Sequence, residues 1–353
     1  MNHSADGSSV LKTVGRRGAL SYGFERAGPR TILARSSSTS PWHHFPPSYL
    51  DDSGCAYTWL VNPSGGLVGG DHVSVEAQLH AGTHVLMTSP SANRVYRSLS
   101  EPAVQEVQLS VGPEARLEWL PEVTIPFAGS RLRQSIHVDL APGATVVLWD
   151  AIASGRVAMR ERWAFAAIEN EICIRTPLAL MIHDGSSRNR AVALRDGHAE
   201  PRGPEAYLNS TSRGRAASLP ANGSSQQRIR DCSRSAHESC GRGGSVVERY
   251  RLVPGRLPES VGLVGSWDYV ASLFVIGDAV DADVWKRLDV VLAAILEQRP
   301  GLVLGAVSTP AAPGLAVKFV ARSAPDLTET LALIWAAVRK DLWNLAVPNL
   351  RRY

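Results

Sequence analysis

Long apolar runs are missing from this chain. The longest, around Val290 to Leu296, falls well short of a membrane-spanning length and is bounded by charges, so nothing predicts a transmembrane helix. The first residues, Met1 to Arg17, are polar and lack the apolar core of a secretory signal, which predicts a cytoplasmic protein. Cysteine is scarce: Cys55, Cys173, Cys232 and Cys240 are scattered, and the eight-residue step between the last two fits no zinc knuckle. Reduced thiols in a cytosolic setting follow from that pattern. Catalytic signatures are absent as well. There is no G-x-S-x-G elbow, no dinucleotide fingerprint and no H-E-x-x-H helix, which removes every specific enzymatic claim.

A basic pI near 9.0 would ordinarily raise nucleic-acid binding. Its source is local, however. Residues 186–245 hold ten Arg, no Lys and five acids, a net of +5, whereas the whole chain is +4, leaving about −1 elsewhere. The body of the protein is not basic, which argues against a nucleic-acid partner. The same segment is rich in Ser, Gly and Arg and poor in large apolar residues, so it reads as a low-complexity, disordered insertion. Residues 1–17 read as a disordered lead-in, and 18–345 as a single domain carrying the insertion.

What is present is β-rich. Ala19 to Ala34 alternates apolar and polar residues about a Gly28-Pro29 turn, as a hairpin does. Ala56 to Val61 and Val73 to Leu79 flank Asn62-Pro63-Ser64-Gly65-Gly66-Leu67-Val68-Gly69-Gly70-Asp71. The paired glycines suit a tight corner, and the strand-like residues that follow exclude a phosphate loop, which would lead into a helix. A repeat then appears: Gln78 to Met87, Gln108 to Trp119 and Asp139 to Trp149 each read as strand, Gly/Pro/Ala turn and strand, roughly thirty residues apart. Stacked β units in a layered or solenoid-like body account for that periodicity. A plain β-sandwich is the alternative. Further strands are predicted over Glu161 to Ala167, Glu171 to Ile182 and Val246 to Leu252. The last third reads as α+β, with strands at 272–276, 302–308 and 314–321 and apolar residues at helical spacing over 282–298 and again after Pro325. The fold class is mainly β with two C-terminal helices.

Two kinds of residue could carry chemistry. His72, His80 and His84 lie close in sequence, but the Gly82 turn separates them and no Cys or acid nearby completes a ligand set, so surface histidines are expected. The carboxylates Asp71, Glu118, Asp150, Glu161 and Glu248 sit in or beside apolar strand segments. Such acids either line a polar passage or sit on a solvated sheet face, and pattern alone does not separate the two. Arg94, Tyr96 and Arg97 are their candidate partners, or contacts for another protein. Glu118 and Glu122 admit a glycosidase-type pair, although nothing around them forms a sugar cleft.

The Asn62–Asp71 segment resembles the glycine-paired segment of the UreD/UreH family of urease accessory proteins. Ser89-Pro90-Ser91-Ala92-Asn93-Arg94-Val95-Tyr96-Arg97-Ser98 is similar to its Tyr-Arg-Ser segment, and Leu117-Glu118-Trp119-Leu120-Pro121-Glu122 to its Leu-Glu-Trp-Leu-Pro segment. Leu148-Trp149-Asp150, Gly155-Arg156, Glu161-Arg162-Trp163 and the helix around Leu333 to Arg339 follow in the family's order. Asn62 stands where the family has His, Asn93-Arg94 where it has a small residue and Lys, and 186–245 has no counterpart. The resemblance implies a non-enzymatic scaffold with no tightly bound cofactor. It implies binding to the urease apoprotein and a UreF-type partner, and through them to a UreG-type GTPase, with Ni²⁺ passing transiently towards urease. It gives the acids a role, with Asp71, Asp150, Glu161 and Glu248 lining or gating an internal passage and Glu118 a weaker candidate. Gly65, Gly66, Gly69, Gly70, Arg94, Tyr96 and Arg97 form its structural or interaction motif.

Overall fold

A computed structural model describes residues 15–177, 245–254 and 266–350. In chain order the strands are β1 (Arg17–Ala27), β2 (Arg30–Ser38), β3 (Ala56–Trp59), β4 (His72–Leu79), β5 (His84–Thr88), β6 (Asn93–Val95), β7 (Ala103–Val111) and β8 (Arg116–Leu120). They continue as β9 (Thr124–Pro126), β10 (Arg131–Leu140), β11 (Thr145–Ala153), β12 (Ala167–Arg175), β13 (Ser245–Leu252) and β14 (Tyr269–Gly277). Helix α1 (Ala282–Glu297), β15 (Val303–Ser308), β16 (Gly314–Ala321) and α2 (Ala324–Trp343) complete the chain. The insertion lies outside the described residues up to Ser245, which opens β13. The lead-in lies outside them up to residue 14, and its last residue, Arg17, already belongs to β1.

The repeat is a coil of β-structure. Strands alternate between two sheets, ordered β13-β12-β10-β7-β4-β1-β2 and β15-β16-β14-β11-β8-β5-β3. Successive repeats pair in parallel: β4 with β7, β7 with β10, β5 with β8, and β8 with β11. A hairpin sandwich would pair them antiparallel, so the layered, solenoid-like reading holds. The corners stack by backbone hydrogen bonds. Gly112 N donates to Leu79 O at 2.8 Å and Ala141 N to Val111 O at 2.8 Å. Each corner needs one left-handed residue, supplied by Gly82 (φ 67°), Glu114 (φ 58°) and Gly143 (φ 76°).

Between the sheets, inward residues of alternating strands form one core, including Val75, Leu109, Ile136 and Ile172 from the first sheet and Leu117, Val146 and Leu148 from the second. The second sheet's other face is covered by the helices, through Leu288, Leu292 and Leu296 of α1 and Leu331, Ile334, Trp335 and Val338 of α2. Asp281 and Ser323 cap the two helices by accepting from Asp283 N and Asp326 N, and Asn344 closes α2 in a left-handed conformation. Both helices fall where the apolar spacing puts them.

Two strand expectations need correction. Residues 161–166 are not a strand: a short 3₁₀ turn at Val157–Met159 precedes them, and Arg160 (φ 59°) and Trp163 (φ 51°) are left-handed. The next strand runs Ala167–Arg175, and residues 178–182 lie outside the described set. No helix among the described residues is long and apolar enough to cross a membrane.

Candidate functional site

The glycine corner joins β3 to β4 and lies against the second motif. Leu67 N donates to Arg94 O and Tyr96 N to Leu67 O, each at 2.8 Å. Gly66 (φ 152°) approaches so closely that a Cβ would stand 2.3 Å from Arg94 O. The Tyr96 hydroxyl donates to Gly65 O at 3.3 Å, and its ring stacks edge-on against Phe127. At Gly69 a Cβ would stand 2.7 Å from Glu101 O, and Gly70 N donates to Pro102 O at 3.1 Å. Arg94 and Arg97 are exposed, the Arg97 stem lying beside Gly129. Asn62 accepts from Ser64 N at 3.0 Å, an Asx turn that opens the corner. Asp71 is buried, and its two oxygens accept from Arg16 N at 2.8 Å and Val68 N at 2.9 Å. That carboxylate ties the corner to the start of β1.

From Gly65 and Gly66 a cavity of about 90 Å³ runs between the sheets to Asp150, past Asn93, Gln105 and Gln134. It has room for on the order of half a dozen waters. Asp150 of β11 is the only carboxylate on the inner face of that strand, and it meets a polar set from the opposite sheet. Gln134 of β10 donates to Oδ1 at 2.9 Å, Asn170 of β12 to Oδ2 at 2.9 Å, and the Tyr250 hydroxyl of β13 to Oδ2 at 3.2 Å. Burial pushes Asp150 up to about 6, against the lowering effect of those donors, and the charge of Glu248 adds to the rise. Burial likewise pushes the Tyr250 hydroxyl well above its usual value. Glu248, also on β13, accepts from Ser272 Oγ at 2.8 Å and pairs with Lys318 at 3.0 Å. An oxygen-rich group whose charge is balanced near neutrality can hold a cation weakly or release it.

Glu161 sits apart from this group. It accepts from Ala128 N at 2.9 Å and pairs with Arg156, whose hydrogen bond holds the carboxyl below the usual range. Asp150 and Glu248 therefore influence one another by charge, whereas Asp71 and Glu161 each fasten a loop. Gln134, Asn170 and Tyr250 were not singled out from sequence. Gln134 and Asn170 did carry a signal: each interrupts an alternating apolar face, between Leu132 and Ile136 and between Ile168 and Ile172.

A second polar cluster lies on the other face of the second sheet, under the helices. His84 is buried here, which corrects the expectation of a surface histidine, whereas His72 pairs with Glu106 at 2.8 Å and His80 contacts Arg35 at 3.2 Å. His84 Nε2 lies 2.8 Å from Glu118 Oε1, and Trp335 Nε1 donates to Glu118 Oε2. Arg339, four residues after Trp335 and fully buried, stands 3.6 Å from Glu118 Oε1, 3.2 Å from the Tyr57 hydroxyl and 3.5 Å from Asp51. Glu118 is thus committed to the helix layer and does not form a cleft pair with Glu122.

A sequence profile described as UreD urease accessory protein matches residues 16–203 and 207–352. The chain is 39% identical over 144 residues to the urease accessory protein UreD of Dechloromonas aromatica, covering 41% of this chain and 50% of that one. With the protein of the same name from Deinococcus radiodurans the identity is 42% over 160 residues, covering 45% and 57%. With that of Klebsiella aerogenes it is 33% over 158 residues, covering 45% and 58%. The alignments span about half the length of these curated relatives. With a profile that runs over most of its length, the chain belongs to the UreD family of urease accessory proteins.

Proposed function

We propose that this chain is a non-catalytic scaffold for urease maturation. It binds the urease apoprotein and a UreF-type partner, engages a UreG-type GTPase through that complex, and supports transfer of Ni²⁺ in the cytoplasm. The relatives' names, all urease accessory proteins, support the accessory role. The observation that carries the transfer reading is the cavity that ends on Asp150. A hydrated divalent cation favours oxygen donors, and passage requires several weak sites rather than one tight cage. Asp150, Gln134, Asn170 and Tyr250 supply carboxylate, amide and hydroxyl groups at hydrogen-bonding distance from one another. Glu248 extends the set towards Ser272 and Lys318. Asp71 and Glu161 do not line this cavity: Asp71 ties the glycine corner to the start of β1, and Glu161 holds Ala128 and Arg156.

The test is co-expression with urease subunits and the UreF-type partner, comparing Asp150→Ala with Asp71→Ala. Asp150→Ala should leave the co-purified complex intact while urease nickel content and activity fall. Asp71→Ala should act through yield of folded protein. Full nickel loading with Asp150→Ala in an intact complex would refute the passage, and failure to recover urease with the unaltered chain would refute the scaffold role.

A further inference from the structure

The cluster beneath the helices contains a set of donors that the scaffold role leaves unused. Cys55, His84 and Glu118 are all buried, and one ligand atom of each lies within 4.8 Å of the others. They come from three adjacent parallel strand positions: Cys55 immediately precedes β3, His84 opens β5 and Glu118 lies in β8. In a tetrahedral site with metal–sulfur and metal–nitrogen bonds of usual length, the ligand atoms stand roughly 3.3–3.8 Å apart. The His84–Glu118 pair, at 2.8 Å, is tighter than that, and the separations reach no more than 4.8 Å, so an ion would part His84 from Glu118 and draw the three side chains around itself. Cys55 is a free thiol, and burial, with the charge of Glu118 second, holds it well above the usual thiol range.

Arg339 does not close the site to a metal. Its Nε stands 3.6 Å from Glu118 without a hydrogen bond, while its Nη2 is turned to Tyr57 and Asp51. The neighbours are arranged to hold ligands. Trp335 orients Glu118, and the Trp343 ring lies edge-on to His84 at 5.2 Å, covering it from the C-terminal end of α2.

We propose that Cys55, His84 and Glu118 form a buried three-ligand site for a divalent transition-metal ion of the Zn²⁺, Co²⁺ and Ni²⁺ class. Thiolate, imidazole and carboxylate together suit such borderline-soft ions and not Mg²⁺ or Ca²⁺. The site is on the opposite face of the sheet from Asp150 and does not depend on the passage reading. Its ligands come from the strands and its cover from α2, so an ion there would fasten the helix to the β body.

The probe is Co²⁺, added to the chelator-stripped full chain in which Cys173, Cys232 and Cys240 are replaced by Ser, leaving Cys55 as its one thiol. One equivalent should bind with a thiolate-to-cobalt charge-transfer band, release one proton and raise the melting temperature. Cys55→Ser in the same background should abolish the band, and His84→Gln should weaken Co²⁺ binding at least about tenfold. Absence of the band in folded protein, or its persistence after Cys55→Ser, would overturn the site. Unchanged affinity in His84→Gln would overturn the three-ligand assignment.

Discussion

Glu118→Gln changes one oxygen to an amide and leaves volume almost unaltered, yet it removes the negative charge beside the fully buried Arg339. The guanidinium is 3.6 Å from Glu118 Oε1, where the Coulomb attraction is about 4–5 kcal/mol at an effective dielectric of 20. The attraction to Glu118 is the main influence raising the Arg339 pKa, against the lowering effect of burial. Removing one member of a buried pair costs about 3–5 kcal/mol because the other charge is left uncompensated. Asp51 at 3.5 Å and the Tyr57 hydroxyl at 3.2 Å remain to Arg339, so the cost falls below that range, to about 2–3 kcal/mol. For a folded body of this size that is a fall of roughly 5–10 °C in melting temperature. Thermal unfolding in excess chelator measures it without any metal contribution. Arg339→Met should also destabilise, but the double substitution restores neutrality. Its loss should therefore be smaller than the sum of the single losses by on the order of 2 kcal/mol. A Glu118→Gln shift below about 2 °C, or simple additivity in the double variant, would show that the pair does not hold α2 to the sheet.

Asp150 sits at about 6 in the fold against 3.8 unfolded, so the folded protein holds this proton more tightly. That contribution, roughly 3 kcal/mol, is complete below the unfolded value and is lost as pH rises from about 4 to about 6. Asp150→Asn should flatten the stability–pH curve in that window, and an unchanged slope in unfolding titrations would refute the assignment. At Gly66 an added Cβ would stand 2.3 Å from Arg94 O, whereas at Gly82 nothing lies within 4 Å. Gly66→Ala should therefore cost about 3 kcal/mol or more in denaturant melts and Gly82→Ala about 1, with equal costs counting against the close-approach reading. Finally, Arg175 and Ser245 are antiparallel partners at the ends of β12 and β13. Replacing residues 186–244 by a short turn should leave the melting temperature within about 3 °C, and a larger fall would show that the insertion supports the body.

The fold was legible where local chemistry dictates geometry. Corners with Gly82, Glu114 and Gly143 recur because stacked turns must satisfy the same hydrogen bonds, and the helices show because their buried residues recur at i, i+3 and i+4 between Asp281 or Ser323 caps. The site was less legible, for a physical reason. Arg116–Leu120 and Thr145–Ala153 are covered on both faces, so their residues do not alternate in polarity. Glu118 and Asp150 look alike in such strands, yet one faces the helices and the other the cavity. Glu161 misled in a different way: Trp163 and Phe165 after it alternate as in a strand, while the left-handed Arg160 and Trp163 break the extended backbone. His84 and Cys55 lie 29 positions apart in sequence and meet only because β3 and β5 are parallel neighbours.

Two carboxylates buried in a single sheet invite a common explanation, but their surroundings separate them. Burying a carboxylate is costly, and an apolar residue of similar size generally stabilises a core at least as well, so stability alone does not explain either acid. Glu118 is enclosed by cationic and donor groups of α2 and β5, and removing its charge strands Arg339. Asp150 has neutral donors from the opposite sheet and its charge is opposed by Glu248, so losing that charge strands nothing. At neutral pH, Asp150→Asn should then preserve stability while Glu118→Gln reduces it. If urease activation follows folded yield in the Glu118 variant but falls below folded yield in the Asp150 variant, the helix-facing acid is an anchor and the cavity acid takes part in transfer. If both variants follow folded yield alone, the cavity and its polar lining serve only the packing of the coil.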